Sequence, residues 1–173
     1  MWLKVIGSTL VTISCGALGA WKARQWKEHR KMLEQIRKMI LLLKGEILYA
    51  HSTLGEALDQ VGKKSEGVLA EIFCQVSERI QKQEGERFFT IWSQEIDSRQ
   101  KELFLTPKER QDLKEFGQHL GYLDLEMQER TIALYLEQLE LAIQFYRDHE
   151  QEQTKLYTSL GVMGGLFLSI MLC

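Results

Sequence analysis

No HExxH, no GxxxxGK[ST] and no GxGxxG occurs anywhere in the 173 residues. Zincin-type metal chemistry and phosphate-cradling loops are therefore excluded as readable motifs. The histidines stand at positions 29, 51, 119 and 149, and none follows a glutamate by three residues. The Glu-x-x-His pair of di-iron bundles is thus missing too. Cysteine is scarce: Cys15, Cys74 and Cys173 lie far apart, with no CxxC spacing and no disulfide ladder, which suits a reducing compartment. Net charge is only −2, from 22 basic and 24 acidic side chains, so no global field favours nucleic acid or an acidic substrate. Proline occurs once, at Pro107. No segment between Glu28 and Lys155 alternates with period two, which argues against strands. No catalytic, cofactor-binding or metal-ligating residues are assigned, and no small-molecule substrate is expected. The chain reads as a non-enzyme.

What the chain does have is charge in the middle and none at the ends. Residues 5–21 carry no charged side chain, and neither do residues 156–173. Crossing a hydrocarbon layer of ~30 Å takes roughly 20 apolar residues. Lys4 can snorkel, while Trp2, Trp21 and Tyr157 sit where an aromatic belt places them. These features predict an N-terminal membrane span over 1–21, a helical domain over 22–155 and a C-terminal span over 156–173. A cleavable signal fits the start less well, because its basic cluster follows the apolar stretch instead of preceding it. The tetrapeptide TISC, ending at Cys15, resembles a lipoprotein box but has Thr12 where leucine is expected. Lys22, Arg24, Lys27, Arg30 and Lys31 follow the first stretch directly. The positive-inside rule then places the middle of the chain in the cytoplasm and both termini across the membrane. Small residues recur every fourth position: Ser8, Thr12, Gly16 and Ala20 in the first stretch, Gly161, Gly165 and Ser169 in the second. Such spacing lets helices approach closely in lipid.

Between the ends, apolar residues recur at three and four. Met32, Ile36, Met39, Ile40, Leu43 and Ile47 mark a first helix, roughly 29–50. Thr53 and Glu56 have capping-box spacing ahead of a second, 54–61, which Gly62 and the KKSEG stretch are expected to break. Val68, Leu69, Ile72, Phe73, Val76 and Ile80 define a third, and Gly85 closes that region. Phe88, Phe89, Trp92 and Ile96 mark a fourth. TPKE opens a fifth, with Thr106 as N-cap, Pro107 at the first helical position and Glu109 closing the box. Leu113, Phe116 and Leu120 give it an apolar face, interrupted at Gly117 and Gly121. Asp124 can cap a sixth, carrying Ile132, Tyr135, Leu139 and Ile143, whose periodicity continues toward the second end stretch. Cys74 lies on the third helix's apolar stripe and is read as an inert thiol. Six amphipathic helices with short connections predict an all-α bundle. Two segments offer themselves for partner contact, the basic run Lys22 to Lys31 and the FGQHLG turn.

The segments LLLKGEILYAHSTLGEAL (41–58), LKEFGQHLGYLD (113–124) and KLYTSLGVMGGLFLSIML (155–172), in this order and spacing, resemble the stage III sporulation protein AB family of endospore-forming bacteria. One departure is Leu54, where the family often has proline after the threonine. The resemblance implies a component of a mother-cell sporulation channel complex in the membrane around the forespore. Its soluble region would resemble the cytoplasmic six-helix domain of type II secretion platform proteins. The implied partners are other subunits of that complex, including its secretion-type ATPase, together with membrane lipid. A platform coupling that ATPase to membrane subunits is one expectation. A passive membrane-tethered scaffold of another secretion or pilus-like system is the other. The family has no catalytic residues to carry over.

Overall fold

The computed structural model describes residues 2–82, 85–120 and 125–172, with side chains described chiefly between Trp21 and Met163. Among the described residues there are six helices and no strand: α1 (Trp2–Leu48), α2 (Leu54–Lys63), α3 (Val68–Gln81), α4 (Phe88–Ser98), α5 (Pro107–Leu120) and α6 (Leu125–Leu172). The all-α prediction holds. The chain divides into two compact units, one of Lys31–Ile143 and one made of the residues up to Arg30 together with those from Gln144 onward.

The unit Lys31–Ile143 contains the core. The α1 stripe from Met32 to Ile47 is buried as its three-and-four spacing predicts, and so are Leu58 and Val61 of α2. Ile72, Phe73 and Val76 of α3, Trp92 and Ile96 of α4, Leu113 and Phe116 of α5, and Ile132, Leu139 and Ile143 of α6 complete it. Each fully buried side chain of this size contributes about 1.5–3 kcal/mol of transfer free energy. α2 packs on α3, α3 on α4 and α4 on α5. Ion pairs close the same seams: Arg79 of α3 holds Glu95 of α4 at 2.8 Å, and Lys114 of α5 holds Asp97 of α4 at 2.6 Å. Arg37–Glu140 and Lys44–Glu129, at 2.6 and 3.3 Å, tie α1 to α6.

Both capping boxes form. The Thr53 hydroxyl accepts from the Glu56 amide at 3.4 Å while the Glu56 carboxylate accepts from the Thr53 amide at 3.0 Å. Thr106 and Glu109 repeat the pattern at 3.3 and 2.8 Å.

Of two expected breaks one occurs: α2 ends at Lys63, within the KKSEG stretch, with Gly62 as its penultimate residue. A methyl group at Gly62 would overlap the Cys74 sulfur and press on the Ala70 carbonyl oxygen, so its small size lets α3 approach. Gly117 lies inside α5, where a methyl would overlap the Trp92 ring. In the space left, the Trp92 indole N–H donates to the Leu113 carbonyl at 2.9 Å. FGQHLG is therefore helix through Leu120, and not a turn. Gly121 and Asp124 lie outside the described residues. The first helix is also longer than the 29–50 segment expected, being one helix from Trp2. Likewise α6 is one helix from Leu125 to Leu172.

Among the described residues no helix is long and apolar enough to cross a membrane. Most side chains of the two uncharged end stretches lie outside the described set.

Candidate functional site: a groove between α5 and α6

The helical register of α5 puts Asp112, Glu115, Phe116 and His119 on one face, because three- and four-residue steps stack side chains. Thr131, Leu134, Tyr135 and Gln138 share a face of α6 in the same way. These eight residues line a groove of about 300 Å³. Behind it lies a smaller cavity of about 50 Å³, which Asp112, Tyr135 and Gln138 also line, together with Glu109, Leu33 and Ile36. Those three shared side chains form the partition between the two spaces. The Phe116 and Tyr135 rings stack with centroids 4.6 Å apart and planes 20° from parallel, joining the two helices beneath the groove.

The groove is built to accept hydrogen bonds and positive charge. Tyr135 is only 7% exposed. Burial raises its phenol far above the ordinary range, and the nearby Asp112 and Glu109 carboxylates push the same way. Asp112 is half-buried, and burial raises its carboxyl as well; Lys108 pulls it back, and Glu115 and Glu109 add to the rise. A cation beside Asp112 would favour its ionised form and oppose that rise. Among the described residues neither the Tyr135 hydroxyl nor the Asp112 carboxylate makes a hydrogen bond or ion pair. His119 and Glu115 stand at the exposed rim beside Leu134, a leucine 53% exposed. Nothing here resembles a nucleophile with its base. No cluster of three His, Cys, Asp or Glu among the described residues could hold a metal.

The structure scatters the residues picked out from sequence. Lys22, Arg24, Lys27 and Lys31 are exposed on α1, with Lys22 donating to Gln25 at 3.3 Å. Arg30 behaves differently. Its Nε donates to the Glu150 carboxylate of α6 at 2.6 Å, with Arg30 18% and Glu150 25% exposed. Beside that pair, the Trp26 indole N–H donates to the Tyr146 carbonyl at 3.4 Å. The Tyr146 ring lies 5.0 Å from Trp26 and 4.4 Å from His29, centroid to centroid. In this unit an aromatic cluster and a partly buried ion pair therefore join α1 and α6. Ser8, Thr12, Gly16, Gly161, Gly165 and Ser169 lie within α1 and α6, and their side chains are outside the described residues. Cys74 is half-buried, and burial chiefly raises its thiol, which suits an unreactive packing residue. From sequence alone His119 reads only as part of a turn and Tyr135 only as core. The available signal was a phenol on an apolar stripe, whose hydroxyl must find a partner or a cavity.

The family model described as Stage III sporulation protein AB (spore_III_AB) matches residues 4–173. Stage III sporulation protein AB of Bacillus subtilis (strain 168) is 28% identical over 170 residues, covering 98% of this chain and 99% of that protein. A solved structure titled Stage III sporulation protein AB (SpoIIIAB) superposes with a TM-score of 0.66 and 27% identity, covering 72% of this chain and 98% of its own.

Proposed function

We propose, from the premise that the chain belongs to the stage III sporulation protein AB family and so has a role in sporulation, that it is a non-enzymatic membrane platform. Its two uncharged end stretches span the membrane around the forespore from the mother-cell side. Its central helical unit lies in the cytoplasm, where it binds the complex's secretion-type ATPase and couples it to membrane subunits. The observation that carries this reading is the inverted character of the end stretches. Where their side chains are described, the apolar ones face outward: Trp21 is 58%, Leu156 52%, Leu160 61% and Met163 66% exposed. Water disfavours such surfaces, whereas lipid accepts them. Lys22, Arg24, Lys27 and Lys31 stand exposed at the inner boundary, as orientation by positive charge requires. A likeness of the helical unit to the type II secretion platform is what the family resemblance implies, and enters here as an analogy of fold.

The coupling is mechanical. α1 and α6 each run without interruption from an uncharged end into the charged middle. Force applied to the central unit would therefore be carried by helices that are stiff along their length. A flexible glycine–serine insertion after Gln151 tests this, with membrane fractionation as a control. Sporulation should fail while the protein still sediments with membranes. Normal sporulation would show that force transmission is not required and that the chain serves as a passive scaffold.

A further inference from the structure

We propose that the α5–α6 groove is the docking site for a basic amphipathic helix of a protein partner, one arginine of which enters the groove and donates to the Asp112 carboxylate and the Tyr135 hydroxyl. This deepens the platform reading and rests on it, since it names the face and the chemistry by which the cytoplasmic unit takes its partner.

Four observations converge. Tyr135 is more than nine-tenths buried as a residue and lines both cavities, and its hydroxyl has no hydrogen-bond partner among the described residues. That hydroxyl is not fully enclosed, so a donor arriving through the groove can reach it. Asp112 offers a second unpaired acceptor in the same partition, and Glu115 adds negative charge at the rim. Gln138 supplies a side-chain carbonyl at the same place. A planar guanidinium, with several donors in one plane and a weak hydration shell, suits acceptors set in a half-buried, aromatic-floored groove better than an ammonium does. The last observation identifies a helix as the bearer of the arginine. Met127, Leu134 and Leu141 are 54%, 53% and 62% exposed at seven-residue intervals along α6. That spacing makes an apolar stripe, and Leu134 sits where the stripe meets the groove. A free small cation would satisfy Asp112 and Tyr135 but would leave the stripe bare. A helix with leucines along one side and arginine beside them covers both.

The test uses the full chain in phosphatidylcholine nanodiscs. A fluorescein-labelled helical peptide with leucines at seven-residue spacing and one central arginine is titrated against it by anisotropy. The same peptide with citrulline in place of arginine serves as the comparison, and empty discs are subtracted. The arginine peptide should bind about tenfold more tightly or better, the scale of one charge-assisted hydrogen-bonded pair. Asp112→Asn should erase the difference between the two peptides, Tyr135→Phe should shrink it, and Leu134→Asp should weaken both peptides alike. Unchanged melting of each variant confirms that it folds. Equal binding of the two peptides, binding no greater than to empty discs, or indifference to Asp112→Asn overturns the proposal. In sporulating cells, Asp112→Lys combined with Glu115→Lys should block sporulation while the protein stays at its normal membrane level. If those cells sporulate normally, the groove is not the docking face, and the platform reading stands on the insertion after Gln151. If the groove selects arginine but that insertion is harmless, coupling fails and docking survives.

Discussion

Tyr135 gathers more of this molecule's physics than any other side chain. Its ring is core, stacked on Phe116, while its hydroxyl belongs to the partition between the two α5–α6 cavities. That double character has a consequence for stability against pH. Burial raises the phenol in the folded state above its ordinary value of 10.0, and burial raises the Cys74 thiol above its ordinary 9.0. Both groups keep their protons in the folded chain at pH values where the unfolded chain has released them. Their contribution to stability is thus fully present below those ordinary values and is lost as pH rises beyond them. Stability should begin to fall above pH 9.0 and fall more steeply above 10.0, the second step amounting to about 1.4 kcal/mol per pH unit for a single group. Tyr135→Phe should remove that steeper step and leave the Cys74 component. Denaturant midpoints measured at intervals between pH 8 and 11 would check it. A Tyr135→Phe chain that keeps the full alkaline loss would show that another group is responsible.

At the scale of elements, the parts that sequence exposed best were those governed by local rules. The Thr53–Glu56 and Thr106–Glu109 boxes fixed the starts of α2 and α5, because capping is settled within four residues. The apolar stripes fixed which face of each helix turned inward. Gly117 reads from sequence as an interruption for a reason that is equally physical. Glycine costs a helix about 1 kcal/mol relative to alanine, so from sequence alone it looks like an ending. What outweighs that cost is contact with another helix, and the identity of that helix is not written nearby. At Gly117 the contact is the Trp92 ring, whose N–H reaches the Leu113 carbonyl. Gly117→Ala therefore sets a gain in helix propensity against a steric overlap with a fully buried ring. Overlap should win, with a net loss of about 1–3 kcal/mol. Chemical denaturation, with Trp92 fluorescence reporting on the displaced indole, reads both effects. An alanine variant more stable than the parent would mean that the α4–α5 seam is looser than this packing requires. The groove was illegible for the same reason as Gly117. Asp112 and Tyr135 are 23 positions apart, and only the pairing of α5 with α6 brings them to one partition.

For the whole molecule the decisive question is what surrounds the two uncharged ends. A chain with 27% charged residues and a mean hydropathy of −0.23 resembles a soluble protein on average, but the average hides a segregation. The core of the unit Lys31–Ile143 is filled by its own apolar side chains. Leu156, Leu160 and Met163, outside that unit, are exposed. In the platform reading proposed above, lipid would cover them, and the exposed lysines and arginine between Lys22 and Lys31 would set the orientation. The expectation is that a periplasm-active reporter works when fused at either terminus, whereas a cytosol-active reporter works only when inserted into a connection of the central unit, such as residues 64–67 between α2 and α3. In a companion fractionation the chain should sediment with membranes and come into solution only with detergent. Cytosol-active fusions at both ends, or a chain that stays in the supernatant without detergent, would detach this protein from the membrane. The inverted end stretches would then have to be covered by protein, and the platform reading would go with them.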